Sequence, residues 1–96
     1  MKLNIADLRY YSIANRTQIQ AQERCACYYC IKIYQSNLIV EWHLEKRGQY
    51  KGEETAICPF CGIDSVIQFE HSFHEEIDIS FLKSARDYWF HNNSSK

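Results

Sequence analysis

Cys58-Pro59-Phe60-Cys61-Gly62 decides how this chain is read, and Cys27-Tyr28-Tyr29-Cys30 completes it. Each is a Cys-x-x-Cys pair, whose two intervening residues let both sulfurs reach one ion. Two such pairs supply a tetrahedron of thiolates at about 2.3 Å from the metal. In the second pair, Pro59 pre-sets φ at the turn and Gly62 lets the backbone curl where a side chain would clash. The first pair has no glycine and is less distinctive by itself. Four thiolates leave no coordination position for water, so Cys27, Cys30, Cys58 and Cys61 are expected to hold one structural zinc ion. Binding of structural zinc contributes about 10 to 16 kcal/mol, which exceeds the net stability of a typical domain, so the metal-free chain is expected to be largely unfolded.

Other readings of the thiols compete. Iron accepts the same four ligands, and spacing does not separate it from zinc. Disulfides are disfavoured in a chain that starts Met1-Lys2-Leu3-Asn4 without a secretory signal, because the cytosol keeps thiols reduced. A thioredoxin-like motif needs one Cys-x-x-Cys at the start of a helix in a βαβ setting. Cys25 is a fifth thiol beside Arg24. It is either a small buried thiol or a reactive or alternate ligand.

The rest of the composition is that of a globular protein. The chain has 96 residues, 46% hydrophobic and 15% aromatic, with seven Tyr, five Phe and two Trp. That length suits a single domain, residues 1–96, whose own core leaves a small stability margin that a metal would widen. No stretch approaches the roughly 18 apolar residues of a membrane span, and a cytoplasmic location is expected. Net charge is −1 and the pI is about 6.4, which argues against bulk electrostatic attachment to nucleic acid. Charge is uneven: residues 1–51 carry an excess of Lys and Arg, and residues 52–96 an excess of acids. That polarity could orient a partner, although two solvated faces account for it more simply.

Asn4 caps a predicted helix from Ile5 to about Glu23, with Tyr10, Ile13, Ala14, Thr17 and Ala21 on its inner face. Ile31, Ile33 and Tyr34 suit a short strand, and Leu38-Ile39-Val40-Glu41-Trp42-His43-Leu44 is the strongest strand candidate, ending in a polar turn at Glu45–Gln49. Thr55-Ala56-Ile57 leads into the second cysteine pair, and Ser65-Val66-Ile67-Gln68-Phe69 leaves it as a strand. The last predicted helix runs from Ile79 to about His91, capped by Asp78 or Ser80, with Ile79, Leu82, Arg86 and Phe90 on one face. Residues 92–96 are polar and expected to fray.

Cys25-Ala26-Cys27-Tyr28-Tyr29-Cys30, Glu41-Trp42 and the run from Thr55-Ala56-Ile57-Cys58 to Ser65-Val66-Ile67 resemble a family of small uncharacterised bacterial cytoplasmic proteins that look like zinc ribbons. Phe81-Leu82 through Tyr88-Trp89-Phe90 resembles that family's closing helix, while Gln68 stands where a glycine is expected. The resemblance implies a metal-binding fold and no activity. The expected class is α+β: a small zinc-ribbon-like antiparallel sheet stapled by four cysteines and flanked by an N-terminal and a C-terminal helix.

No Ser-His-Asp order, phosphate-cradling glycine loop or paired-carboxylate motif is present, and the chain is not expected to be an enzyme. His43, His71, His74 and His91 are the available bases. His71 and His74 lie among Glu70, Glu75, Glu76 and Asp78, which reads more simply as a solvated acidic loop than as a site. Tyr and Trp are favoured in interface cores, so the chain is expected to bind another protein as an adaptor, inhibitor or immunity-type partner, or to form a homodimer. Tyr28, Tyr29, Tyr34, Trp42, Lys46, Arg47, Tyr50 and Lys51 are the candidate partner contacts. The alternative is a nucleic-acid-binding ribbon that uses the Lys46–Lys51 turn, where three cations flank one aromatic ring.

Overall fold

Side-chain alternation along one short strand organises the molecule. In the computed structural model, which describes residues 4–68 and 77–91, strand β1 (Arg24–Cys27) lies between β2 (Lys32–Gln35) and β5 (Val66–Gln68) in an antiparallel sheet of order β2-β1-β5. Cys27 faces Lys32 on one side and Val66 on the other, and Ala26 faces Ile33 and Ile67. Successive residues of a strand point to opposite faces. Cys25 and Cys27 therefore join Ile19, Tyr34, Ile39, Ala56, Cys58 and Val66 on one face. Ala26 and Tyr28 join Leu8, Ile67, Ile77, Leu82 and Ala85 on the other. A strand buried on both faces carries no polar alternation, which is why its cysteines do not advertise it as a strand.

A second sheet is a two-stranded hairpin of β3 (Trp42–Leu44) and β4 (Glu54–Ala56). Its tip is held by Glu45 N donating to Glu53 O at 2.8 Å and Gly52 N donating to Glu45 O at 2.8 Å, with a 3₁₀ turn over Gly48–Tyr50. The α+β class, with antiparallel sheets of three and two strands, short helices and a cysteine cluster, is the zinc-ribbon-like arrangement expected.

Several boundaries differ from the sequence reading. The N-terminal helix is interrupted: a 3₁₀ turn over Ile5–Asp7 and α1 (Leu8–Tyr11) are separated by Ser12–Asn15 from α2 (Arg16–Gln20). Ala14 takes a left-handed φ of 52° there, and its amide donates to Thr55 Oγ1 at 2.8 Å. This tertiary contact overrides helix propensity in a stretch with no glycine or proline to mark it. The inner face changes accordingly, with Leu8 and Ile19 fully buried and Tyr10 67% exposed. The strand expected over residues 38–44 is shorter as well. Ser36–Leu38 forms a 3₁₀ turn, Ile39 turns inward and Val40 is 83% exposed. Gln68 sits in β5 opposite Cys25, so the sheet continues where the family resemblance implied a glycine. Phe69, the acidic segment of residues 70–76 and residues 92–96 lie outside the described residues.

The C-terminal helix α3 (Ile79–Arg86) starts where Asp78 Oδ1 accepts from Phe81 N at 2.8 Å, the capping geometry that satisfies an orphan amide. Leu82 and Ala85 are its buried positions, while Ile79 is exposed. Full burial of a leucine side chain stabilises by about 1.5 to 3 kcal/mol. The helix runs on into a π-helical turn, Asp87–His91. Trp89 Nε1 there donates to Ile5 O at 2.9 Å, and Phe90 meets Tyr28 and Tyr29 at centroid distances of 5.9 and 4.8 Å. The helix is thereby laid against the first cysteine pair.

Candidate metal centre

Each cysteine pair occupies a turn of the same form. Ile31 N donates to Cys27 O at 3.1 Å, and Gly62 N donates to Cys58 O at 2.9 Å. The residue after each second cysteine is left-handed, with φ of 60° at Ile31 and 75° at Gly62. Gly62 adopts this conformation without strain. Ile31, a β-branched residue, is a true outlier that its surroundings must hold in place. The missing glycine of the first pair therefore does not change the turn it makes.

The two knuckles face each other and bring the four sulfurs of Cys27, Cys30, Cys58 and Cys61 within 4.8 Å of one another. Sulfur pairs across the knuckles are 3.6 Å apart for Cys27 and Cys61 and 3.7 Å for Cys30 and Cys58. A tetrahedron of thiolates at about 2.3 Å from an ion has sulfurs about 3.8 Å apart, whereas a disulfide requires about 2.05 Å. The quartet fits one metal ion, and all five cysteines are free thiols. The first cysteine of each knuckle is buried and the second is half-buried. Among the described residues these four are the group of Cys, His, Asp and Glu that could hold a metal. His71 and His74 lie outside them, and His43 is exposed on β3.

Burial raises two of the four thiols. Desolvation pushes Cys61 up to about 12 and Cys30 upward as well, with the neighbouring Cys27 adding to both. At Cys58 burial also acts upward, but the neighbouring Tyr34 hydroxyl and the Phe60 and Cys61 amides outweigh it and bring the thiol below its ordinary value. Phe60 N donates to Cys58 Sγ at 3.4 Å, and the buried Ser65 hydroxyl lies 3.1 Å from Cys27 Sγ. For Cys30 and Cys61, desolvation opposes the ionised form. A divalent cation bound there would offset that cost, releasing protons as it binds.

Cys25 is fully buried in β1, and burial pushes its thiol up to about 12, against weaker lowering contacts with Ser36 and Tyr34. It stands outside the quartet as an inert thiol in character. Tyr34, held above the ordinary phenol range chiefly by burial, stays protonated.

Two of the candidate partner contacts need correction. Tyr28 and Tyr34 are 2% and 8% exposed. Tyr28 Oη pairs with Ser12 Oγ at 3.2 Å in the helix-side core, and the Tyr34 ring packs edge-on to Phe60 at 5.1 Å. Aromatic rings beside the cysteines filled the small core first, as expected where apolar area is scarce. Tyr29, Lys46, Arg47 and Lys51 are exposed, and Trp42 and Tyr50 are half-buried. Arg16 lies 4.8 Å from the Trp42 ring centroid and 2.7 Å from Glu54 Oε1.

Sequence reasoning missed Asn15. Its buried side chain accepts from Ala56 N at 3.1 Å and donates to Val66 O at 2.8 Å and Tyr11 O at 2.9 Å. It thus ties β4 to β5, the two strands that flank the second knuckle. The polar stretch around it gave no sign of this, because the contact spans more than forty residues. Among the described residues no helix is long and apolar enough to cross a membrane. No family model matches the chain, and no curated protein or solved structure is significantly similar to it, so the case for a metal rests on the geometry of the four cysteines.

Proposed function

We propose that this chain is a non-catalytic protein-binding module whose fold is held by one structural zinc ion. The observation that carries the metal is the sulfur quartet, closed by cross-knuckle separations of 3.6 and 3.7 Å. Four protein ligands leave the ion no position for water or substrate, so its task is to join the knuckles. Zinc suits that task because it has no redox chemistry and no geometric demand beyond the tetrahedron. Five free thiols fit a reducing cytoplasm, and the motif run Thr55–Ile67 supports membership of the small bacterial zinc-ribbon-like family.

The binding role is supported by exposed aromatics at both knuckle tips, Tyr29 at 40% and Phe60 at 53% exposure. Rings fixed on a metal-braced turn give contact area at low entropic cost. A nucleic-acid role is favoured by one observation: Glu45 and Glu54 turn their carboxylates to Thr55 and Arg16, at 2.6 and 2.7 Å, leaving Lys46, Arg47 and Lys51 exposed at the hairpin tip. It ranks second because those carboxylates still reduce the field on phosphate.

Metal content of the purified protein, with circular dichroism before and after a strong chelator, tests the metal. One zinc per chain and loss of structure on its removal are expected, and a folded metal-free protein would overturn the reading. Affinity purification of the zinc-loaded protein from its native cells tests the role. A stoichiometric protein partner supports it, and recovery of RNA or DNA without one reverses the order of the two readings.

A further inference from the structure

Two buried hydroxyls border the sulfur cage, one at the inner cysteine of each knuckle. Ser65 is 1% exposed, and its Oγ lies 3.1 Å from Cys27 Sγ. Tyr34 Oη is enclosed and meets no partner in hydrogen-bond geometry, with the Cys58 and Cys25 sulfurs as its polar neighbours. A native structure rarely keeps a buried hydroxyl unsatisfied unless it serves another task.

The two sides of the cage differ in access. Cys30 and Cys61 are half-buried, whereas Cys27 and Cys58 are 0% and 1% exposed. A divalent ion with four thiolates carries a net charge of −2. Water can solvate the outer two sulfurs, but the inner two depend on protein donors. Phe60 N already reaches Cys58. A neutral thiol such as Cys25 is a weak acceptor for Tyr34, and a metal-bound thiolate is a strong one. The Tyr34 ring is held edge-on to Phe60 of the opposite knuckle, which fixes the direction of its hydroxyl.

We propose that Ser65 and Tyr34 are positioning residues of the metal centre, each donating a hydroxyl hydrogen bond to the inner thiolate of one knuckle, Ser65 to Cys27 and Tyr34 to Cys58. This rests on the metal reading above. The hydroxyls stabilise negative charge on the two sulfurs that water does not reach, and so tighten the site without entering the coordination shell.

The test uses Co2+ as a spectroscopic probe and Zn2+ competition against a chromophoric chelator, on the full chain and on Y34F, S65A, S65T and S12A. A hydrogen bond lowers the energy of sulfur lone pairs. Y34F and S65A are therefore expected to move the sulfur-to-cobalt charge-transfer bands to lower energy and to weaken Zn2+ binding about 10- to 100-fold. S65T, which keeps a hydroxyl, restores the band position. S12A removes the hydroxyl that pairs with Tyr28 and lowers thermal stability without moving the bands. Should S65A fail to fold, Y34F and S65T carry the comparison, since Y34F keeps the ring. Bands and affinity unchanged in both Y34F and S65A overturn the inference and leave the metal centre standing. Absence of sulfur-to-cobalt bands in the unmutated chain overturns both.

Discussion

The two knuckles make the same turn by different means. The first, Cys27 to Ile31, is a hairpin whose strands β1 and β2 pair with each other directly, from Cys27 opposite Lys32 to Arg24 opposite Gln35. The second, Cys58 to Gly62, is flanked by β4 and β5, which belong to different sheets. Asn15 spans the gap with two side-chain hydrogen bonds. Conversely, the second knuckle has the favourable turn chemistry, Pro59 and Gly62, while the first places an isoleucine at φ 60°. Each knuckle is thus well made where the other is not: backbone pairing supports a strained turn in one, and an unstrained turn accompanies borrowed pairing in the other. An ion held between the knuckles would require both to be in place, and its binding energy would make their deficits tolerable.

The largest expected effect breaks the comparison at its common point. Cys30→Ser and Cys61→Ser remove one ligand from each knuckle and should unfold the protein equally at 25 °C, since structural zinc contributes about 10 to 16 kcal/mol. Circular dichroism at equal zinc would show it, and a folded C30S beside an unfolded C61S would mean that the first hairpin stands without the ion. Next comes Asn15→Ala. Leaving the Ala56 amide and the Val66 carbonyl unpaired costs about 1 to 3 kcal/mol each, so a loss of roughly 3 kcal/mol is expected in denaturant unfolding. Hydrogen exchange should rise at Ala56 before it rises along β1 and β2. Uniform loss of protection would deny Asn15 its local role.

A smaller effect probes the turns. A Cβ at Gly62 meets nothing within 4 Å, so Gly62→Ala carries only the left-handed backbone cost, about 1 to 2 kcal/mol. Ile31→Gly relieves that strain but loses the partial packing of Ile31 on the helix-side core, and should fall within about 1 kcal/mol of the parent. Equal losses at the two positions would contradict this division of labour between the knuckles. The smallest effect concerns Cys25, the thiol outside the quartet. Its folded pKa is raised from 9.0 to about 12, so it contributes stability below pH 9 that is lost as pH rises toward 12. At pH 10 this loss is about 1 kcal/mol. Cys25→Ala in the zinc-loaded protein should flatten the decline between pH 8 and 10, and an unchanged slope would show that the thiol titrates normally.

The cysteine quartet was legible because local spacing encodes it: Cys-x-x-Cys and the Pro and Gly of the second pair state their chemistry within five residues. The capping of α3 by Asp78 was legible for the same reason. Less was readable where contacts cross the chain. Residues 5–23 read as one helix, since nothing nearby announces that Ala14 will donate to Thr55 and Asn15 will bridge β4 and β5. Tyr28 and Tyr34 read as exposed because burial depends on which face of β1 and β2 receives the helix and which the metal cage.

By itself, then, the amino-acid order determined which four cysteines could hold a metal and the presence of sheet and terminal helices, because those follow from side-chain chemistry at short range. Only the tertiary structure decided that Ile31 shares Gly62's conformation, that an asparagine closes the second knuckle, and that the Ser65 hydroxyl meets the Cys27 sulfur. Those features depend on segments far apart in sequence being held within a few ångströms, and no local propensity encodes such a juxtaposition.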